Sequence, residues 1–312
     1  MQRLTLTIAM LVLAVSSQSI DAATKIEVSK GKTSLEIHIE GRRFATFVFA
    51  DKKTPRPYFA NVDAPGGHRA TRNHPVKPGD DQDHPHHTGV FFTFGDLNGV
   101  DFWHMRGAVE HIVFLKPPTV KGGQLNFTIE SRYMSPDGKT VFCHEVCRNT
   151  VRVTKFGYAI DYDITLTPKD KPMVIGSKEE GGIAVRVATP IAVSAGKQGR
   201  LIDNAGRVNG KSIWGQQADW VDYSGQVEGQ HVGVTVMTAP SNFSRCWWHA
   251  RDYGLFAANP FGPLNKKGQQ KIVKGGEALR LQYTVLFHTT KTRNDFDPQA
   301  AYKALVLTSQ KK

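Results

Sequence analysis

From residue 23 onward, apolar and polar positions alternate with a period of two over long stretches. In GYAIDYDITLTP, residues 157 to 168, Tyr158, Ile160, Tyr162, Ile164 and Leu166 fall on one face and Asp161, Asp163 and Thr165 on the other. Successive side chains of a strand point to opposite faces, so this pattern predicts a strand half-buried in a sheet. The same habit marks TSLEIHIE at 33 to 40, RFATFVFA at 43 to 50, QLNFTIESRYM at 124 to 134, HVGVTVM at 231 to 237 and LRLQYTVLF at 279 to 287. Turn glycines separate the runs, at Gly122-Gly123, Gly138, Gly181-Gly182 and Gly275-Gly276. That punctuation predicts an antiparallel all-β protein, a large two-sheet sandwich in which each sheet buries one face against the other. Only residues 298 to 307 read as helical. No Rossmann or P-loop signature and no repeat of fixed period is present. Two regions break the alternation, 51 to 89 and 189 to 230. Long segments of that kind inside a compact domain are often functional, so both are expected as loops on a single domain covering 23 to 312.

The first 22 residues change the picture of where the protein works. Arg3 precedes an apolar stretch from Leu4 to Val15, and the small residues Ala22 and Ala23 follow. This reads as a secretory signal peptide, residues 1 to 22, and predicts a secreted or periplasmic protein. The apolar run is short for a membrane span of roughly 20 residues, and no second long apolar segment follows, so no membrane span is expected in the mature chain. The formal charge of +12 is spread thinly, without basic runs or a zinc-finger pattern, so nucleic acid is not an expected partner. Three cysteines, Cys143, Cys147 and Cys246, exclude a fully paired framework and are expected as structural thiols, with one bridge open between Cys143 and Cys147.

Candidate chemistry sits in five clusters. The first, PGGHRATRNHPVKPGDDQDHPHHTG, contains Arg69, Arg72, Asp81, Asp83, His84, His86 and His87. On a strand His84 and His86 would share a face about 6.6 Å apart and could converge on one ion. Imidazole and carboxylate ligands of this kind suit a divalent metal, with Zn, Mn, Fe and Ca all open. The second cluster, GVDFWHMRGAVEH, adds Trp103 and His104. The third, GSKEEGGIAVRVATP, adds Glu179, Glu180 and Arg186. The fourth, WGQQADWVDYSG, adds Trp214, Asp219 and Trp220. The fifth, RCWWHARDYGLFAANPFG, adds Trp247, His249, Arg251, Asp252 and Asn259. Indole rings cover the C–H face of a pyranose while carboxylates, arginines and amides bind its hydroxyls, and glutamate with histidine supplies base and acid. The expected assignment makes His87, His104, Glu180 and His249 catalytic. Arg69, Trp103, Arg186, Asp219, Trp220, Arg251, Asp252 and Asn259 would bind substrate, and His84 and His86 the metal.

The tracts RPYFANVDAPGG, NHP with DHPHHTG, GVDFW, WGQQADWVDYSG and WHARDYGLFAANPFG together resemble a family of secreted bacterial proteins, the domain of unknown function 6807. Its members are often labelled "PmoA family" or "methane oxygenase PmoA". The resemblance covers most of the mature chain. The membrane-spanning monooxygenase subunit of that name needs apolar spans that this chain lacks after residue 22. The resemblance implies a β-supersandwich of the galactose-mutarotase-like kind and a place beside sugar-oxidising and keto-sugar-processing proteins.

Taken together, the sequence points to a carbohydrate-active enzyme. It would act on a glycoside or oxidised (keto) sugar by acid–base chemistry, as a hydrolase, lyase or epimerase, with a divalent metal as an optional assistant. Two readings of other classes stand beside it: a noncatalytic glycan-binding protein, and a metal-dependent oxygenase built on two histidines and a carboxylate.

Overall fold

The computed structural model describes residues 24 to 196 and 198 to 308; the expected signal peptide lies outside them. The chain builds two eight-stranded sheets. The first runs, edge to edge, through Ile26–Lys30, Ser34–Ile39, Arg42–Val48, Tyr58–Ala60, Val90–Phe94, Gly181–Arg186, Leu255–Asn259 and Trp247–Arg251. The second runs through Arg200–Asp203, Trp220–Val227, Gln230–Thr238, Leu279–Thr290, Gly157–Thr167, Val141–Thr154, Gln124–Met134 and Ala108–Lys121. Neighbouring strands pair antiparallel. This is the expected all-β, two-sheet sandwich.

The period-two pattern explains why the sheets pack. In Gly157–Thr167, Ile160, Tyr162, Ile164 and Leu166 are buried, while Asp161, Asp163 and Thr165 are only partly so. One continuous core draws on both sheets, from Ile37, Phe47, Phe59 and Val90 to Phe127, Ile164, Val236 and Leu281. Phe59 is fully buried and touches Phe47 within its own sheet and Phe127 and Tyr162 across the sandwich. Truncating such a ring to alanine costs roughly 3–5 kcal/mol. Cys143, Cys147 and Cys246 are buried free thiols. Cys143 and Cys147 lie on one strand, Val141–Thr154, whose extended backbone keeps positions four apart too distant to bridge.

The two regions expected as loops carry structure of their own. Residues 51 to 89 contain the short strand Tyr58–Ala60 and a two-stranded hairpin, Asp63–Ala64 with His68–Arg69. Residues 189 to 230 contain the strand Arg200–Asp203, the helix Asn209–Ile213 and the strand Trp220–Val227. At the C-terminal end, helix Pro298–Tyr302 continues into a wide turn, Lys303–Leu307. It covers part of the second sheet's outer face, packing Tyr302, Leu305 and Val306 with Trp220, Met237 and Leu286.

A third apolar cluster positions the candidate site. It lies on the face of the first sheet turned away from the main core and comprises Tyr58, Ala60, Phe91, Trp103, Ala184, Leu255 and Ala257. The register aligns Tyr58, Phe91, Ala184, Ala257 and His249 in one row across five strands. The two alanines leave a shallow floor, and Trp103 fills part of it.

Candidate functional site

The histidine segment does not form a strand. The backbone N–H of His87 donates to the carbonyl of His84 at 3.0 Å, and the strand begins only at Val90. His84 has φ 42°, in the left-handed region that non-glycine residues rarely occupy. Such backbone costs of order 1–3 kcal/mol and persists only where its surroundings fix it.

Three buried arginines do the fixing. Arg72, wholly buried, donates to the carbonyls of Asp81, Asp83, His84 and His87 at 2.6 to 3.1 Å and to Asp83 Oδ1 at 2.9 Å. Arg186 donates to Asp83 Oδ1 at 2.7 Å and reaches Asp81 Oδ2 at 3.4 Å. Arg56 donates to the carbonyl of His86 and, at 3.0 Å, to that of Trp103, and its guanidinium lies 4.1 Å above the Phe91 ring. Burial pulls the Arg56 guanidinium down to about 9. Arg186, expected to bind substrate, is 1 % exposed, and its side chain is engaged by Asp81, Asp83 and the Tyr253 ring, 4.8 Å away.

The imidazoles gather over this frame. His84 and His87 stack with centroids 4.9 Å apart, His86 lies 4.4 Å from His87, and His104 lies 4.7 Å from His86. His84 Nδ1 bonds Asp83 Oδ2 at 2.7 Å, and its ring stacks on Tyr253 at 4.9 Å. Trp103 Nε1–H donates to His87 Nε2 at 3.2 Å, so neutral His87 carries its proton on Nδ1. That Nδ1 and His86 Nε2 are both buried without a hydrogen-bond partner in the protein. Burial first, then the neighbouring histidines and arginines, lowers His86 to about 3 and His87 well below the usual imidazole range. Both are neutral at pH 7, as ligands or proton acceptors must be.

His104 and Glu180 meet at the end of strand Val90–Phe94. The backbone N–H groups of Phe102 and Trp103 donate to the Phe94 carbonyl, and that of Gly95 to the Glu180 carbonyl at 2.7 Å. His104 Nδ1 bonds Asp101 Oδ2 at 2.8 Å, which orients the ring and places the neutral imidazole's proton on Nδ1. Burial raises the Glu180 pKa; the nearby Glu179 and Asp101 charges raise it further and His104 opposes them. Gly182, at φ 77°, lets this turn enter the sheet, because a Cβ there would strike the Ala258 carbonyl.

On the other flank Glu179 is an anchored carboxylate. Its Oε2 accepts from Trp214 Nε1–H at 2.5 Å and Arg251 Nη2 at 2.6 Å, and His249 Nε2 lies 3.6 Å away. Arg251 Nε donates to His249 Nε2 at 3.0 Å. Burial pulls the His249 pKa down while Glu179 pulls it up, with a net lowering. Asn259 is buried and donates to the Lys178 carbonyl at 2.8 Å, which holds the 178–180 turn in place. The same turn borders an open cleft of about 670 Å³ whose rim carries Lys178, Lys266 and Lys267.

The structure thus brings together His84, His86, His87, Trp103, His104, Glu180, Arg186, His249, Arg251 and Asn259 from four of the five sequence clusters. Trp103 is 1 % exposed, so it orients His87 and offers no open ring face. Four expected substrate residues are partnered elsewhere. Arg69 pairs with Asp63 in the small hairpin. Asp219 binds Arg245 and Asn204. Trp220 lies beneath Tyr302, its Nε1–H donated to Gln299. Asp252 accepts from the Gly210 N–H at 2.7 Å and fixes the helix Asn209–Ile213. Sequence reading placed Glu179, Trp214 and Tyr253 in its clusters without a role and did not single out Arg56 and Asp101. Of these, Asp101 carried a legible signal: an Asp three residues before a His in a Gly-flanked turn. Among the described residues no three His, Cys, Asp or Glu side chains are arranged to hold a metal ion.

Fold and site together define an all-β sandwich with an imidazole–carboxylate cluster on one sheet's outer face. The chain belongs to the family of unknown function DUF6807, whose profile matches residues 34–301. No curated protein sequence matches it significantly. Similar solved structures include a putative aldose 1-epimerase from Escherichia coli K12, with TM-score 0.34 and 10 % identity over 86 % of this chain and 100 % of that one. Another is a galactose mutarotase related enzyme from Lactobacillus acidophilus, with TM-score 0.31 and 8 % identity over 86 % and 99 %. Scores of that size leave the fold description resting on this chain's own sheets and core.

Proposed function

We propose that this protein is a carbohydrate-active enzyme that moves protons on a glycoside or an oxidised sugar. The observation that carries the reading is the convergence of His86, His87, His104, Glu180 and His249 on one face, where burial holds several of them in their neutral forms. Burial favours the neutral carboxyl of Glu180 and the neutral imidazoles of His86 and His87, and acid–base catalysis needs donor and acceptor groups within reach of one substrate. In this reading Glu180 and His104 act as the acid–base pair. Asp101 orients His104, and Trp103 fixes the tautomer of His87. Arg251 and Glu179 hold hydroxyls beside His249. His84 and His86 remain the candidate holders of a divalent ion, which would supply carbonyl or hydroxyl polarisation when bound; the proton transfers above use the chain's own groups.

The expected export to the periplasm or medium belongs to the same proposal. Among the described residues no helix is long and apolar enough to cross a membrane. The test is a panel of glycosides and keto-glycosides incubated with the mature protein and followed by proton NMR. Conversion of at least one member, lost in Glu180→Gln, supports the enzyme. Saturable binding without conversion, unchanged in Glu180→Gln, would identify a glycan-binding protein instead.

A further inference from the structure

The five tryptophans divide by exposure. Trp103, Trp220 and Trp248 are buried at 1, 4 and 0 %. Trp214 and Trp247 are partly open, and both border the Glu179–His249 flank of the cluster. Strand Trp247–Arg251 explains this for Trp247: Trp248 and Ala250 enter the core, so Trp247, His249 and Arg251 share the outer face. Trp247 pairs in register with Asn259, which holds the 178–180 turn, and its indole packs against the backbone of Gly262, where any Cβ would collide. Trp214 is tied to the same strand through Gly215 N–H to the Trp248 carbonyl at 2.9 Å. Its ring lies 5.6 Å from the Arg251 guanidinium. Beyond the Phe261–Gly262 corner, Phe243 is 41 % exposed with its ring 5.5 Å from Phe261.

We propose that Trp214, Trp247 and Phe243 form an aromatic subsite for further pyranose units, so that the substrate is an oligosaccharide or glycan chain. The inference deepens the sugar-enzyme reading and rests on it. His249 and Trp247 are offset by about 6.6 Å along the strand, comparable to one sugar unit in a chain. Polar groups stand beside the rings: Glu179 Oε2 accepts from Trp214 Nε1–H, and Arg251 lies against the Trp214 ring. A sugar presents an apolar C–H face and a hydroxyl edge and matches that arrangement; a protein partner would favour a contiguous apolar core ringed by polar groups.

The test is calorimetric binding of the mature protein to gluco-, manno- and xylo-oligosaccharides of one to four units. For the sugar type that binds, affinity should rise at least tenfold from one unit to three. Trp247→Ala combined with Phe243→Ala should reduce that gain below threefold, and Trp247→Phe, which keeps a ring, should retain most of it. A monosaccharide that binds as tightly as its trimer, or a gain that survives the double substitution, overturns the subsite and leaves the sugar-enzyme reading standing. Absence of binding by every saccharide overturns the subsite, while the sugar-enzyme reading stands or falls on the glycoside and keto-glycoside panel.

Discussion

On the outer face of the second sheet, Arg152 meets Asp161 through bonds of 2.5 and 3.0 Å, and Arg280 meets Asp163 through bonds of 2.6 and 2.8 Å. These pairs line an open cleft of about 910 Å³. On the outer face of the first sheet, arginines are bound to backbone carbonyls and anchored carboxylates, while imidazole nitrogens on His86 and His87 lack partners. Charges matched in pairs at a wet surface contribute little and leave nothing poised to react. Buried groups held in one geometry with unspent hydrogen-bonding capacity mark a place built for a ligand. The proposed site therefore lies on the face with the unpartnered imidazoles, not on the face with this cleft.

The contrast breaks most sharply at the arginines. Arg72→Ala would remove a buried guanidinium that donates to four backbone carbonyls and to Asp83 Oδ1, and it should cost roughly 3–5 kcal/mol in urea unfolding, as loss of a buried charged network does. An effect below 1 kcal/mol would show that the histidine segment does not depend on Arg72.

Next comes the orientation of His104. Asp101→Asn should lower kcat about 10- to 100-fold on the substrate found by the NMR panel, with KM changed less and a displaced pH–rate limb. An unchanged pH profile would make Asp101 merely structural.

A smaller effect concerns pH. His86 titrates at about 3 in the folded protein against 6.5 when free, so the unfolded chain binds more protons between those values. Its contribution to stability is present above pH 6.5 and is lost as pH falls toward 3. The slope is at most about 1.4 kcal/mol per pH unit for each such proton. Thermal melts from pH 7 to 4 should show that decline, and His86→Asn should flatten it.

The smallest change is expected on the opposite face. Arg280→Ala should cost about 0–1 kcal/mol, since both it and its partner are exposed in part. A larger loss would mean that the paired lattice is more than a solvated surface.

Much of this was legible in the chain and some was not, for physical reasons. Gly157–Thr167 announced itself because one face is buried and the other wet. Trp220–Val227 did not, because the C-terminal helix covers its outer face and every position except Gln226 is buried, which erases the alternation. The histidine segment was visible as chemistry, yet its geometry depends on the left-handed backbone of His84 and on arginines distant in sequence. Arg56 lies 30 residues before His86, and nothing local marks it. Asp219 and Trp220 show the converse: residues typical of a sugar site, drawn to Arg245 and Tyr302 by the fold.

The central claim is that proton transfer on a sugar occurs at the first sheet's outer face. The direct measurement is the turnover rate of wild type, Glu180→Gln and Asp161→Asn on the same glycoside or keto-glycoside. The account predicts a loss of at least about 100-fold for Glu180→Gln and a rate within twofold of wild type for Asp161→Asn. Equal rates for all three, or a loss confined to Asp161→Asn, would contradict it.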